Sequence, residues 1–596
     1  MKKILFLLLI ANLTLLSAMS KRADKSLIDD WEYNASIPSL TKRLMPMAQR
    51  GMKFNSPVMM SAPKPRLYNA KKKIGLAVGG AKDTNNFKAN IDKGYLPKLD
   101  SLTYEGQFYN HYFDTGIGEQ TCKELFCPSY SSAVRKNIFS DEEEYFLSVG
   151  LNSGIEEKDF KRKKLNLVVV LDISGSMGSA FDAYYYDKAG NKQKNEDETS
   201  KKKMQIANES IVAMLSHLKD DDRVGIALFD NSSYMAKPLR LVRNTNKLAI
   251  RDHILALKQR GGTNWSAGYK EGLKLFDEVN LNNKEYENRI VFLTDAMPNS
   301  GELGKEKLFG LAKKASLKNI HTTFIGIGVD FNNNLVEYVS KTKGANYFSV
   351  HSSKAFSKLL DKEFEYVVNP LVYDLELKLS NSIYTIDGVY GSPDASWATR
   401  SIMKINTLFP SSTDGEAIKG GVVLLKLTKN PLIALSSKLN LEVSYKDVNG
   451  KEHHNVQEVT FKNRANTMYY ENSGIQKAIL LSDYVSIMKN WLIDSRAGCN
   501  DKVKWTMQKY PDIMKRCMFY PSKHPLYPIV KTWERKSCKL QVSNGYKKLF
   551  QVFKKHYVAE QALLNDESLK KELSIINILL KQKKENIKKD DWSFEQ

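Results

Sequence analysis

The sequence predicts a multidomain α/β chain: a doubly wound, Rossmann-like domain, then an appended β-sandwich and a helical C-terminal region. Three patterns predict it. Short Val/Leu/Ile runs alternate with helical stripes between residues 160 and 365, strands alternate from 366 to 462, and amphipathic helical runs follow to the end. At 596 residues the chain exceeds one core, since a domain takes about 100 to 200 residues.

Residues 1–19, with Lys2, Lys3, an apolar run from Ile4 and small Ser17 and Ala18, read as a secretory signal peptide. No later run approaches the roughly 20 apolar residues that cross a bilayer. The expected location is therefore secreted or periplasmic, membrane-associated if the leader is kept. Export admits disulfides, and the expected pairs are Cys122 with Cys127 and Cys499 with Cys517, leaving Cys538 as the odd cysteine. Residues 20–73, mixed in Pro, Met, Ser and basic residues, read as a linker. In 74–155 the stretch "GLAVGG" lacks the following Gly-Lys-Ser/Thr of a phosphate loop and reads as a tight turn after a strand.

Within 160–365 the expected strands are Leu167–Leu171, Val224–Phe229, Ile290–Leu293, Thr322–Ile327 and Tyr347–Val350. Between the first two, Met204, Ala207, Ile211, Met214, Leu215 and Leu218 form one helical stripe. An insertion of about twenty residues precedes that helix, a length uncommon without a purpose. Its Tyr184, Tyr185 and Tyr186 are candidates for a ligand surface or for an unstructured polar loop. Residues 366–462 alternate as β-strands, with "DVNGKE" as a hairpin turn. Residues 463–596 are helical and end in a charged tail. The net charge of +23 favours anionic partners, a surface or polymer, or reflects solvated lysine faces. No helix-turn-helix, RNA-binding or zinc-finger pattern occurs, so nucleic acid is not an expected partner.

The chemistry concentrates where apolar strands end. "NLVVVLDISGSMGSAF" places Asp172, Ser174 and Ser176 just beyond a buried strand, and "RIVFLTDAMPNSG" ends a second one at Asp295. In "RGGTNWSAG", Thr263 and Asn264 lie in a Gly-rich loop before a helix. Ligands of open parallel sheets collect beyond the carboxyl ends of strands, and carboxylates with hydroxyls suit a hard cation. The order, spacing and strand context of Asp172-x-Ser174-x-Ser176, Thr263 and Asp295 resemble the metal-ion-dependent adhesion site of von Willebrand factor type A (VWA) domains. The resemblance implies direct ligation by Ser174 and Ser176, optional ligation by Thr263, and water-mediated contact by Asp172 and Asp295. It also implies a divalent cation, Mg²⁺ first with Mn²⁺ or Ca²⁺ as alternatives. The upstream "YEGQFYNHYFDTG" resembles bacterial exported proteins labelled calcium-activated chloride channel homologues.

These readings predict an exported, cation-dependent, adhesion-type module that captures an acidic residue of a protein partner, with Tyr184–Tyr186 and Asn264 as further ligand-facing candidates. An accessory subunit of an ion channel or membrane complex is the alternative. No enzyme is expected: no H-E-x-x-H occurs and no histidine or glutamate stands near the motif as a general base, which disfavours a metal-dependent hydrolase. The leader argues against a chelatase-like partner of a cytoplasmic ATPase.

Overall fold

A computed structural model describes residues 27–35, 73–82, 84–118, 122–140, 142–180, 184–186, 192–194, 201–295, 305–327, 341–350, 356–379, 384–392, 402–429, 438–460, 468–498 and 538–582. The expected leader, Cys499, Cys517 and the charged tail lie outside the described residues. No described helix is long and apolar enough to cross a membrane.

The first part of the chain holds strands β1 (Lys73–Val78), β2 (Gly80–Ala81), β3 (Tyr112–Phe113), β4 (Cys127–Lys136) and β5 (Glu143–Glu156), with helices α1 (Asn85–Asp92) and α2 (Tyr104–Tyr109). A disulfide joins Cys122 to Cys127, the first residue of β4. Cys538 is also disulfide-bonded, which corrects its expected place as the odd cysteine.

The middle of the chain then winds one sheet. Its elements are β6 (Lys164–Asp172), the hairpin strands β7 (Tyr184–Tyr186) and β8 (Lys192–Lys194), α3 (Lys203–Leu215), β9 (Arg223–Phe229), β10 (Ser233–Leu241), α4 (Lys247–Leu255), α5 (Trp265–Lys274), β11 (Tyr286–Thr294), α6 (Lys305–Leu317), β12 (Ile320–Ile327), β13 (Asn346–Val350) and α7 (Phe364–Val368). The strand order is β10-β9-β6-β11-β12-β13-β2. All neighbours are parallel except the β10 edge. Residues along β6 alternate between two cores. Leu167, Val169 and Leu171 pack with Met204, Ala207 and Ile211 of α3, whereas Val168 and Val170 pack with Trp265 and Tyr269 of α5. Burial on both faces explains why the strand reads as a continuous apolar run. Helix α5 lies close to the sheet because Gly268 and Gly272, one turn apart, present no side chain: a Cβ at Gly272 would meet Val170 Cγ2 at 2.5 Å.

Residues 27–35, expected as part of a linker, instead dock on this domain. Trp31 is buried and stacks on His253 at 5.1 Å, Glu32 N donates to Ala236 O, and Asp30 meets the buried Lys237 ammonium at 3.2 Å. The segment covers the β10 edge, which would otherwise present unpaired backbone groups.

The remaining strands are β14 (Val372–Leu379), β15 (Tyr384–Tyr390), β16 (Ile402–Ser411), β17 (Thr413–Asp414), β18 (Ala417–Lys419), β19 (Val422–Lys429), β20 (Lys438–Asp447), β21 (Glu452–Thr460) and β22 (Tyr469–Tyr470). They correct the expectation of a 366–462 sandwich appended after the middle domain. One sheet runs β15-β19-β5-β1-β16-β14-β20-β21, so strands from both sides of the middle domain interleave. Hydrogen bonding decides this: β5 pairs with β19 and β1 pairs with β16. Residues of β15 and β20 enter the same core, so the sheet curls upon itself. The middle domain is inserted between β5 and β14.

Helices α8 (Ser473–Gly498), α9 (Asn544–Leu564) and α10 (Lys570–Lys581) follow. Trp491, Tyr484, Phe550 and Tyr557 share a core with Phe108, Phe113 and Leu424. Buried polar links reinforce the packing: Arg135 binds Asp483 at 2.6 Å, and Gln107 donates to Glu572 at 2.7 Å.

Candidate metal centre

Strand β6 lies between β9 and β11, and the chain winds outward from it in both directions. The carboxyl ends of β6 and β11 therefore flank the topological switch point, where adjacent loops diverge and leave a crevice. Leu171 is in register with Leu293. That pairing sets Thr294 opposite Asp172 and brings Asp295, one residue further on, to the same sheet edge.

The Asp172 carboxylate is buried and fixed on both oxygens: Oδ1 accepts from Ser174 N at 2.8 Å and Oδ2 from Thr294 Oγ1 at 2.5 Å. Burial is the largest influence on it and, with the nearby Asp295 charge, pushes its pKa up to about 7 against those bonds. Ser174 Oγ lies 3.0 Å from Ser176 Oγ, and Ser176 Oγ donates to Asp295 Oδ1 at 2.7 Å. A chain of oxygen atoms thus joins the two strand ends. Ser176 and Gly175 are exposed while Ser174, Asp172 and Asp295 are buried, so the cluster opens outward at Ser176.

The third loop is pinned by its backbone. Arg260 N donates to Ile173 O at 2.6 Å and Gly175 N to Gly261 O at 2.9 Å. Gly261 adopts φ 71°, which suits glycine at this turn. Buried Thr263 follows on the same loop. Asn264 caps α5: its Oδ1 accepts from Ala267 N at 3.1 Å and Ser266 Oγ at 2.9 Å. Its carboxamide oxygen is thus engaged locally, away from the ligand-facing role expected for it. Tyr184–Tyr186 pair with Lys192–Lys194, so part of the insertion is a β-hairpin.

One residue absent from the sequence expectation enters the site. Lys203, the first residue of α3, places Nζ 2.9 Å from Asp295 Oδ2, with both side chains buried. Its signal in the sequence is faint, because it is the third lysine of a run that reads as a solvated face. Beside the cluster, Asp230 and Arg260 form their own pair at 2.8 Å.

The donor set fits a hard cation: every side chain offered is a hydroxyl or carboxylate oxygen, and softer metals prefer sulfur or imidazole. Among the described residues no group of three or more His, Cys, Asp or Glu could hold a metal ion.

A family model described as von Willebrand factor type A domain matches residues 166–362. Inter-alpha-trypsin inhibitor heavy chain H1 of Bos taurus is 21% identical over 308 residues, 49% of this chain and 31% of its own length. Heavy chain H3 of Rattus norvegicus is 24% identical over 218 residues, 36% of this chain and 22% of its own. The chain thus spans less than a third of the length of these curated relatives. A solved structure, von Willebrand factor type A from Catenulispora acidiphila, aligns at TM-score 0.43 with 12% identity, covering 73% of this chain and 96% of that one. The parallel sheet wound outward from β6 and the family match agree: residues 166–362 are a von Willebrand factor type A domain.

Proposed function

We propose that this chain is an exported protein-binding module that captures an acidic residue of a partner through a divalent cation at the β6/β11 switch point. The observation that carries the reading is the hydrogen-bonded chain from Ser174 through Ser176 to Asp295, which gathers neutral hydroxyls at the exposed end of two buried carboxylates. Domains of this family mediate protein interactions and commonly hold a divalent cation.

Ser174, Ser176 and Thr263 would ligate directly, and Asp172 and Asp295 would act through water. The cation, when bound, supplies an open coordination position for a carboxylate. Asp172 orients the Ser174 loop by accepting from the Ser174 amide, and Thr294 holds the other oxygen of Asp172. Tyr184–Tyr186 belong to the insertion that follows Ser176 and would add contact area at low entropic cost. Magnesium is the first candidate, by the hardness of the donors.

The test is capture of a peptide library rich in Asp and Glu by the full chain, in Mg²⁺ and in EDTA, with Asp172→Ala as control. Acidic peptides retained only in Mg²⁺ and only by the unmutated chain support the reading. Equal retention in EDTA contradicts it.

A further inference from the structure

We propose that Lys203 is a built-in counter-cation of the metal site, holding its affinity for the ion down and leaving that ion's charge for the partner's carboxylate. This deepens the function proposed above and rests on it.

One buried cluster sets the charge balance of the site. With a divalent ion in place, whose charge favours the ionised carboxylates, Asp172 and Asp295 would bring two negative charges; Asp172 is held by neutral donors, the Ser174 amide and the Thr294 hydroxyl. Asp295 is held by one neutral donor, Ser176, and by the Lys203 ammonium on its other oxygen. With the Lys203 ammonium included, the two ionised carboxylates leave the cluster one net negative charge. A divalent ion then leaves the site at +1, and one incoming carboxylate brings it to zero. Without Lys203 the ion alone would reach neutrality, and a partner carboxylate would create a buried net negative charge, which is costly. The neighbouring Asp230 and Arg260 cancel each other and do not disturb the count.

The position of Lys203 is built. Its amide donates to Ser179 O at 3.1 Å, and Lys202 bridges Ala180, so the two ends of the insertion close together where α3 begins. The side chain is 7% exposed and the Asp295 side chain 0%, which keeps water from screening the pair.

The test is titration of the full chain with Mn²⁺, reading the free ion by electron paramagnetic resonance, for the unmutated protein and for Lys203→Met, Lys203→Gln and Lys203→Arg. Circular dichroism checks folding, and Gln serves where Met disturbs packing. The two neutral variants are expected to bind Mn²⁺ at least about tenfold more tightly than the unmutated chain, with the Arg variant within about threefold of it. Equal or weaker binding by the neutral variants overturns the role of Lys203 while leaving the metal site standing. Binding by Lys203→Arg as tight as that by Lys203→Met overturns the charge account in favour of a steric one. Binding by none of the four proteins overturns both this inference and the function on which it rests.

Discussion

Lys203 Nζ lies 2.9 Å from Asp295 Oδ2, on the carboxylate whose other oxygen accepts from Ser176 at 2.7 Å. This places the start of helix α3, the end of strand β11 and the loop after β6 in one hydrogen-bonded unit. The expected cation site therefore already contains a cation supplied by the chain. The five expected ligands define the oxygen donors, whereas Lys203 defines the charge against which they act.

The docked segment 27–35 depends on Asp30. Lys237 is buried with a side-chain exposure of 0%, and burial lowers its pKa while the Asp30 carboxylate opposes that shift. Asp30→Ala leaves an ammonium in the domain without its ion partner, at an expected cost of about 3 kcal/mol. Chemical denaturation of the variant should show this loss, and limited proteolysis should show earlier cleavage before residue 36. Unchanged stability and protection would mean that Trp31 and the backbone hydrogen bonds hold the segment without Asp30.

Helix α5 approaches the sheet through Gly272, where a Cβ would meet Val170 Cγ2 at 2.5 Å. Gly272→Val forces β6 or α5 to move, and overpacking of this kind costs about 3 kcal/mol. The expected readout is a lowered thermal midpoint together with impaired metal binding, because β6 carries Asp172. A variant with an unchanged midpoint would show that the helix can shift freely.

Lys82 supplies a pH test away from the metal site. It is buried, its ammonium donates to Val78 O and lies 4.4 Å from the Tyr109 ring, and burial lowers its pKa to about 7, with the Lys419 charge adding to the effect and Glu105 opposing it. Between pH 7 and the ordinary lysine range the unfolded chain binds more protons than the folded one, so stability rises with pH there. The burial penalty is complete below pH 7 and disappears near pH 10.5. Lys82→Met should therefore raise stability by about 3 kcal/mol at pH 6, less its lost contacts, with a gain that shrinks toward pH 10. Melting curves at the two pH values decide the matter, and a gain independent of pH would contradict the buried-charge account.

Much of the middle domain was legible in the sequence, because its strands are buried on both faces and end in polar loops. Each expected strand there is found, slightly extended, and Met204, Ala207, Ile211, Met214, Leu215 and Leu218 are all buried. The edge strand β10 was missed: its Lys237, Pro238 and Arg240 interrupt the apolar pattern, as befits an edge. The β-region was legible as strands but not as one sheet, since pairing of β1 with β16 and β5 with β19 joins residues separated by the whole inserted domain. Local periodicity carries no information about such partners. Trp31 and Tyr33 in "DDWEYN" were the available sign that residues 27–35 dock.

At the site, Asp172 and Asp295 could be placed together because the ends of parallel strands are predictable. The Ser174–Ser176–Asp295 chain follows from the short turn at Gly175. Lys203 could not be found this way. It reaches the cluster only because the insertion returns to Ala180, and nothing in the run of lysines distinguishes the one that turns inward.

Calorimetric titration of the full chain with Mg²⁺, beside Asp172→Ala, decides whether Asp172, Ser174, Ser176, Thr263 and Asp295 hold a divalent cation as proposed. Saturable one-site binding is expected of the unmutated chain, with at least about a hundredfold loss in a variant that keeps its fold. Identical titrations for the two folded proteins would contradict it.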